Sequence, residues 1–283
     1  MMDNFKHCAA LVREGDRNRY LAALFAPEKA RRALFALYAF NMEMSRVRTL
    51  AREPMPGEIR LQWWREAISG QRVSEAAANP IAAALLATVS DYGLAGDKLA
   101  ALVEARRFDL YNEPMKSFAD LQIYASKTAR TIFECAAQIL TGHLSSVVAN
   151  LASEAGQAQT FAGILAGLPQ HAARHQLFIP LETLRHYGVE PADIFAMRAT
   201  RELRAALAEF RLRARLNLAQ VGSTGPELSR DAQPAFLSLA PLWRWLHDME
   251  KPGYDPFKPP KMASWRCQWR IWRAARSFKR IGL

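Results

Sequence analysis

Cysteine is scarce in this chain. Cys8, Cys135 and Cys267 are its only three among 283 residues, and they stand far apart. No Cys-x-x-Cys pair or Cys/His cluster occurs, which argues against a zinc site and a disulfide framework. A reducing compartment is the expectation. Alternating runs rich in β-branched residues are missing, so no sheet is predicted. No apolar run is long enough to span a bilayer, and residues 1–20 lack the apolar core of a signal peptide. These absences predict a soluble or peripheral protein in a cytosol-like space. Acid is also in short supply: 27 Asp+Glu against 38 Lys+Arg leave a net charge of +11. That balance suits an anionic partner, whether lipid surface, diphosphate, nucleic acid or acidic protein. A nucleic-acid partner rests on the charge alone, because no recognition motif accompanies it.

What is present is helical. Ala, Leu, Arg and Glu abound and favour helix, and 50% hydrophobic residues suffice for one large core. Pro27 opens a helix predicted to run to about Leu50, since proline suits a first helical turn. Pro54-Met55-Pro56-Gly57 reads as a loop, Glu58 to Ser69 as a helix closed by Gly70. Further helices are predicted over roughly 80–92, 95–110, 117–141, 148–168, 200–221 and 232–249. Between the last two lies the turn-rich Gly222-Ser223-Thr224-Gly225-Pro226. Lys251 to Pro260 is Pro-rich and reads as a stiff connector. The expectation is one all-α domain over 1–250, then 251–283 as a connector and a basic, Trp-rich C-terminal helix.

Several segments carry a resemblance. Arg19 to Phe40 (RYLAALFAPEKARRALFALYAF) is similar to the start of squalene/phytoene synthase-like proteins. Leu61-Gln62-Trp63-Trp64-Arg65 resembles that family's Trp-Trp-Arg helix. Tyr124 to Thr131 resembles its tyrosine-led helix, with Arg130 where glycine is usual. Leu177 to Glu182 and Tyr187-Gly188-Val189 resemble the segment after its second aspartate motif. The matches keep the family's order over about residues 17–200. They imply a single-domain isoprenoid (prenyl) synthase-type helical bundle.

The resemblance also implies two aspartate-rich motifs that hold Mg²⁺ and a prenyl diphosphate. Such chemistry needs carboxylates, because Mg²⁺ takes oxygen ligands and neutralises the departing pyrophosphate. Here the first motif's aspartate positions fall on Ser45, Arg46 and Thr49, and the second motif's on Gly167 and His171. Its asparagine, arginine and glutamate fall on Gly163, Ala166 and Gln170. A guanidinium cannot ligate a cation. Glu43 is the one acid left in either motif. Pro169 is expected to kink or end its helix, at a cost of roughly 3 kcal/mol. No metal and no catalytic residue is therefore predicted. If the family cavity persists, Tyr38, Asn41, Ser45 and Thr49 share a wall at helical spacing. Glu43, Arg48, Tyr124 and Arg174 join them as candidate cavity or anion-binding residues. His171 reads as a structural or surface histidine, Trp63 and Trp64 as core or core-edge residues, and Ser45, Thr49, Arg46 and Arg48 equally as solvated surface.

Gly163-Ile164-Leu165 through Leu168-Pro169-Gln170-His171, and Ala39 to Glu43, look like the non-catalytic branch of the family. That branch includes a mitochondrial assembly factor for respiratory complex I (NADH:ubiquinone oxidoreductase). The resemblance implies a bacterial or organellar relative that assists complex I assembly from the face of the inner membrane, with complex I subunits or assembly proteins as partners. With no transit peptide in the sequence, a bacterial relative, cytoplasmic and peripheral to the inner membrane, is expected. The alternative is an active head-to-head prenyltransferase using Mg²⁺, with Arg46, Arg48 and Arg174 gripping diphosphate. Between them stands a cavity that holds an isoprenoid lipid without converting it.

In the C-terminal helix, Trp265, Trp269 and Trp272 share one face, and Cys267, Ile271, Ala274, Phe278 and Ile281 another. Arg266, Arg270, Arg273 and Arg280 lie between, and no acid follows Trp265. Tryptophan and arginine suit an anionic lipid surface, so Trp265, Trp269, Arg270, Trp272 and Arg273 are the predicted membrane contacts. The competing expectation docks one apolar face on the main domain.

Overall fold

Proline and glycine set many of the helix ends. The computed structural model describes residues 4–51 and 53–282, and no strand occurs among them. The α-helices are α1 (Asn4–Gly15), α2 (Arg17–Ala23), α3 (Glu28–Ser45), α4 (Val47–Leu50), α5 (Pro54–Ile68), α6 (Val73–Ala78), α7 (Pro80–Tyr92) and α8 (Gly96–Ala105). They continue as α9 (Phe118–Ala125), α10 (Thr131–Thr141), α11 (Ser146–Ala173), α12 (Leu181–Tyr187), α13 (Pro191–Phe195), α14 (Arg201–Thr224), α15 (Leu242–Asp248) and α16 (Ser264–Arg276). Pro80 starts α7 with Asn79 capping it, and Gly93 ends it at φ 58, a left-handed turn that glycine adopts without Cβ strain.

α3 is the axis of the bundle. From Ala33 to Met42 every residue is buried, so the helix is enclosed on all sides by α1, α7 and α10. α11 and α14 pack along each other on the far side. A single π turn, Ser126–Arg130, separates α9 from α10. It lies hard against α11, where a Cβ on Gly156 would stand 2.7 Å from the Arg130 backbone nitrogen. Arg130 bonds the buried Glu134 at 2.8 Å, and Lys98 takes the other oxygen of that carboxylate at 2.7 Å.

Several expectations are corrected. Pro54 and Pro56 lie inside the first turn of α5, where their missing N–H groups cost nothing, so the predicted loop is helix. Pro169 does not end its helix. α11 continues to Ala173 at the loss of one N–H bond, because Leu165, Leu168 and Ala172 on either side of the proline are buried and hold the helix in place, and Arg174 closes it on the carbonyls of Gln170 and His171. α14 runs through Gly222 to Thr224 before a 3-10 turn, Gly225–Glu227. The helix predicted over 232–249 is broken by Pro234 and Pro241 into 3-10 turns at 233–235 and 237–239, followed by α15.

The C-terminal helix stops at Arg276, and Phe278–Gly282 forms a separate 3-10 turn. Both sit on the bundle. α16 packs on α2, and 278–282 packs along α14. Ile271, Ala274, Phe278 and Ile281 are buried and Cys267 is half-buried, while Trp265, Trp269 and Trp272 stay 64%, 47% and 42% exposed. The aliphatic face of the helix is therefore the docked one, and the tryptophan face is open. Among the described residues no helix is long and apolar enough to cross a membrane.

Candidate functional site

The C-terminal half of α3 opens onto a cavity of about 360 Å³. Asn41, Ser45 and Arg46 form one wall, and Gln159, Thr160 and Gly163 of α11 another. Tyr124 and Thr128 enter from α9 and its π turn, and Asp16 and Arg19 from the start of α2. The 3-10 turn Arg106–Leu110 that follows α8 supplies Arg106 and Asp109.

The deepest polar groups are Arg106, Asp109 and Tyr124. Arg106 donates to the Asp109 carboxylate at 3.0 Å and to the Tyr124 hydroxyl at 2.7 Å. That hydroxyl donates to the other Asp109 oxygen at 2.8 Å. Gln176 fixes the turn by donating to the Asp109 backbone carbonyl at 2.6 Å. Burial pushes the Asp109 carboxyl up, and Arg106 and Tyr124 oppose it. Burial likewise raises the Tyr124 phenol. A second pair closes the near side: Asp16 caps α2 through the Arg19 backbone N–H and holds the Arg19 guanidinium at 3.2 Å.

The motif positions have definite roles. Ser45 donates back to the Met42 carbonyl at 2.9 Å. Arg46 reaches towards the end of α1, where a Cβ on Gly15 would stand 2.7 Å from the Arg46 guanidinium and 2.1 Å from the Met42 methyl. Arg46 has no carboxylate partner among the described residues. Gly167 and His171 form one packed unit, since the His171 ring fills the space that a Cβ on Gly167 would enter at 2.5 Å. The ring also lies 4.5 Å from that of Phe178. Burial, with help from Arg174, pushes the His171 pKa down from 6.5 to about 4.

This shift predicts a pH-dependent stability. The unfolded chain takes up a proton below about pH 6.5 while the folded imidazole stays neutral until about 4. The contribution is complete above the upper value and is lost as pH falls through that window, up to about 2–3 kcal/mol. Urea unfolding at stepped pH should show this slope in the parent chain, and His171→Gln should flatten it.

Not every candidate joins the cavity. Tyr38 is buried behind it with the Arg19 guanidinium 5.4 Å from its ring centre. Glu43 turns away towards α5, accepting from Arg60 at 2.5 Å and from the buried Trp64 indole at 3.2 Å. Trp64 drew it there, because a buried indole N–H needs an acceptor. Arg48 donates to the Ala51 carbonyl at 3.2 Å. Arg174 ties the end of α11 to α4 by donating to the Thr49 hydroxyl at 3.2 Å, and neither residue lines the cavity. Asn41, Ser45, Arg46, Tyr124 and His171 do converge. Sequence reasoning missed Asp16, Arg19, Arg106 and Asp109. The one available signal was Arg106-Arg107-Phe108-Asp109, a charge pair one turn apart leading towards the tyrosine-led helix.

Mg²⁺ asks for several free carboxylate oxygens. The cavity's two acids, Asp16 and Asp109, are each closed by an arginine, and Ser45, Arg46, Gly167 and His171 supply no carboxylate. Among the described residues no three of His, Cys, Asp and Glu gather where they would hold a metal. The donor set does not fit the ion. What the cavity offers instead is a polar, cation-rimmed pocket whose two acids are already neutralised.

The squalene/phytoene synthase family model matches residues 12–273. The chain belongs to the squalene/phytoene synthase family. Among relatives of this family member, NADH dehydrogenase (ubiquinone) complex I assembly factor 6 of Rattus norvegicus is 27% identical over 257 residues, 91% of this chain and 77% of the relative. The Homo sapiens counterpart is 26% identical over 253 residues, 89% and 76% of the two chains. Presqualene diphosphate synthase of Sinorhizobium fredii is 26% identical over 205 residues, 71% of each. In structure, a dehydrosqualene synthase aligns with TM-score 0.84 at 16% identity over 97% of this chain and 96% of the other. Squalene synthase from Alicyclobacillus acidocaldarius aligns with TM-score 0.72 at 23% identity over 90% and 95%. The fold is the all-helical isoprenoid synthase fold of those enzymes.

Proposed function

We propose that this chain is a non-catalytic assembly factor for respiratory complex I, working at a membrane surface. The observation that carries it is the state of the cavity. Ser45, Arg46, Thr49, Gly167 and His171, the positions at which the resemblance implies the family's aspartates, carry no carboxylate, and the cavity's two acids are bound by Arg19 and Arg106. Ionising a prenyl diphosphate needs a metal that neutralises the leaving charge. Arginines bind the ground-state diphosphate without supplying that. The similarity to complex I assembly factor 6 over about nine-tenths of the chain supports the assembly role. Three exposed tryptophans on α16, interleaved with arginines, support the membrane contact. The proposed partners are complex I subunits or assembly proteins and an anionic lipid surface, with an isoprenoid lipid held unconverted in the cavity.

A deletion strain should lose assembled complex I on native gels and regain it when the gene is returned. The purified protein given farnesyl or geranylgeranyl diphosphate with Mg²⁺ should release no pyrophosphate above the no-protein control. Turnover together with normal complex I in the deletion strain would overturn the proposal in favour of an active prenyltransferase.

A further inference from the structure

A second groove, of about 570 Å³, lies where the chain's C-terminal end meets α2 and the 3-10 turns. Its charged lining is Arg230, Arg276 and Lys279, with no carboxylate. Glu227 and Asp231, the acids nearest in sequence to Arg230, are not part of the lining. None of the three cations has an ion pair among the described residues, and Arg230, Arg276 and Lys279 are all exposed. The groove's apolar side is Phe25, 43% exposed, with Leu237 below it.

The groove is a fixed feature. The ring of Phe278, which forms part of the wall, is seated on Gly225 so closely that a Cβ there would be 1.9 Å from it. It is also continuous with the tryptophan face of α16, because the Arg276 guanidinium sits 3.8 Å from the centre of the Trp272 ring. Three cations lining one groove, with no carboxylate in the lining, suit a phosphate. An exposed phenylalanine on one side and a tryptophan on the other suit the boundary between headgroup and acyl chain.

We propose that this groove binds the phosphate of an anionic glycerophospholipid, seating α16 on the bilayer in one orientation. The proposal rests on the membrane contact proposed above and adds to it a specific headgroup site. Its ligand source is lipid rather than a soluble phosphate ester, because the apolar lining continues into exposed tryptophan.

Flotation of the full chain with vesicles tests it, using phosphatidylcholine alone or with one-third phosphatidylglycerol. The variants are Arg230→Gln with Lys279→Gln, and a charge-matched control, Arg185→Gln with Arg201→Gln, on exposed positions of α12 and α14. Thermal melts of both confirm folding. The parent chain should favour the anionic vesicles, the groove variant should lose about 25-fold in partition to them, and the control should lose about twofold or less. Equal losses in both variants would reduce the effect to net charge and overturn the site. Equal parent binding to neutral and anionic vesicles would overturn the headgroup site while leaving the tryptophan contact standing. No binding to either would sink both. Displacement from anionic vesicles by micromolar glycerol phosphate would reassign the groove to a soluble ester and overturn the lipid assignment.

Discussion

Ending the chain before Ser264 is expected to unfold the protein, not merely to free it from membranes. The removed segment contributes Ile271, Phe278 and Ile281, each 5% exposed or less, to the core. Burying such side chains is worth about 1.5–3 kcal/mol each, so roughly 5–9 kcal/mol is at stake. That is comparable with the whole stability of a typical domain, about 5–15 kcal/mol. Removal also strips α14 of the 278–282 turn that packs along it. A Cβ on Gly282 would stand 2.9 Å from Ala219, and one on Gly222 would stand 3.0 Å from Gly282, so these backbones meet with no side chain between them. Far-UV circular dichroism and a thermal melt check this. A cooperative melt within a few degrees of the full chain would contradict it. Membrane binding is therefore better probed by replacing the exposed tryptophans than by truncation.

Arg106→Ala is expected to cost about 3–5 kcal/mol, because it leaves the Asp109 carboxylate buried without its counter-charge. Asp109 is 7% exposed, and after the change it keeps only the Tyr124 hydroxyl. Arg106→Ala with Asp109→Ala should cost less than the sum of the two single changes, since the double variant has no stranded charge. Urea unfolding of the four proteins gives the coupling directly. Additive losses would mean that the pair is solvated and that the cavity floor is not held by it.

Much of the fold was legible in the residues. Periodicity and punctuation gave helices ending at Gly70 and near Gly93, both of which take a positive φ. The stretch 17–200 carried the family resemblance that the match over 12–273 bears out. The misreadings share one cause. Local preference marks Pro54, Pro169 and Gly222 as breaks, yet Pro54 sits in a first turn where its missing N–H costs nothing, buried residues on both sides of Pro169 carry α11 past it, and Gly222 lies within helix where the 278–282 turn passes close to it. Glu43 was read as a cavity residue from its place in the motif. The buried indole of Trp64, 21 residues on, decided otherwise.

From the sequence alone followed the all-α class, the basic balance, the want of carboxylates at residues 45, 46, 49, 167 and 171, and the division of α16 into a tryptophan face and an aliphatic face. Those are properties of residue type and of spacing along one helix. Tertiary structure decided which α16 face is docked, that Asp16 and Arg19 face Arg106 and Asp109 across one cavity, and that Arg230 joins Arg276 and Lys279 in a groove without acid. Helical periodicity reports only neighbours three or four residues apart. Residues some fifty to ninety positions apart come together through the packing of whole helices on one core.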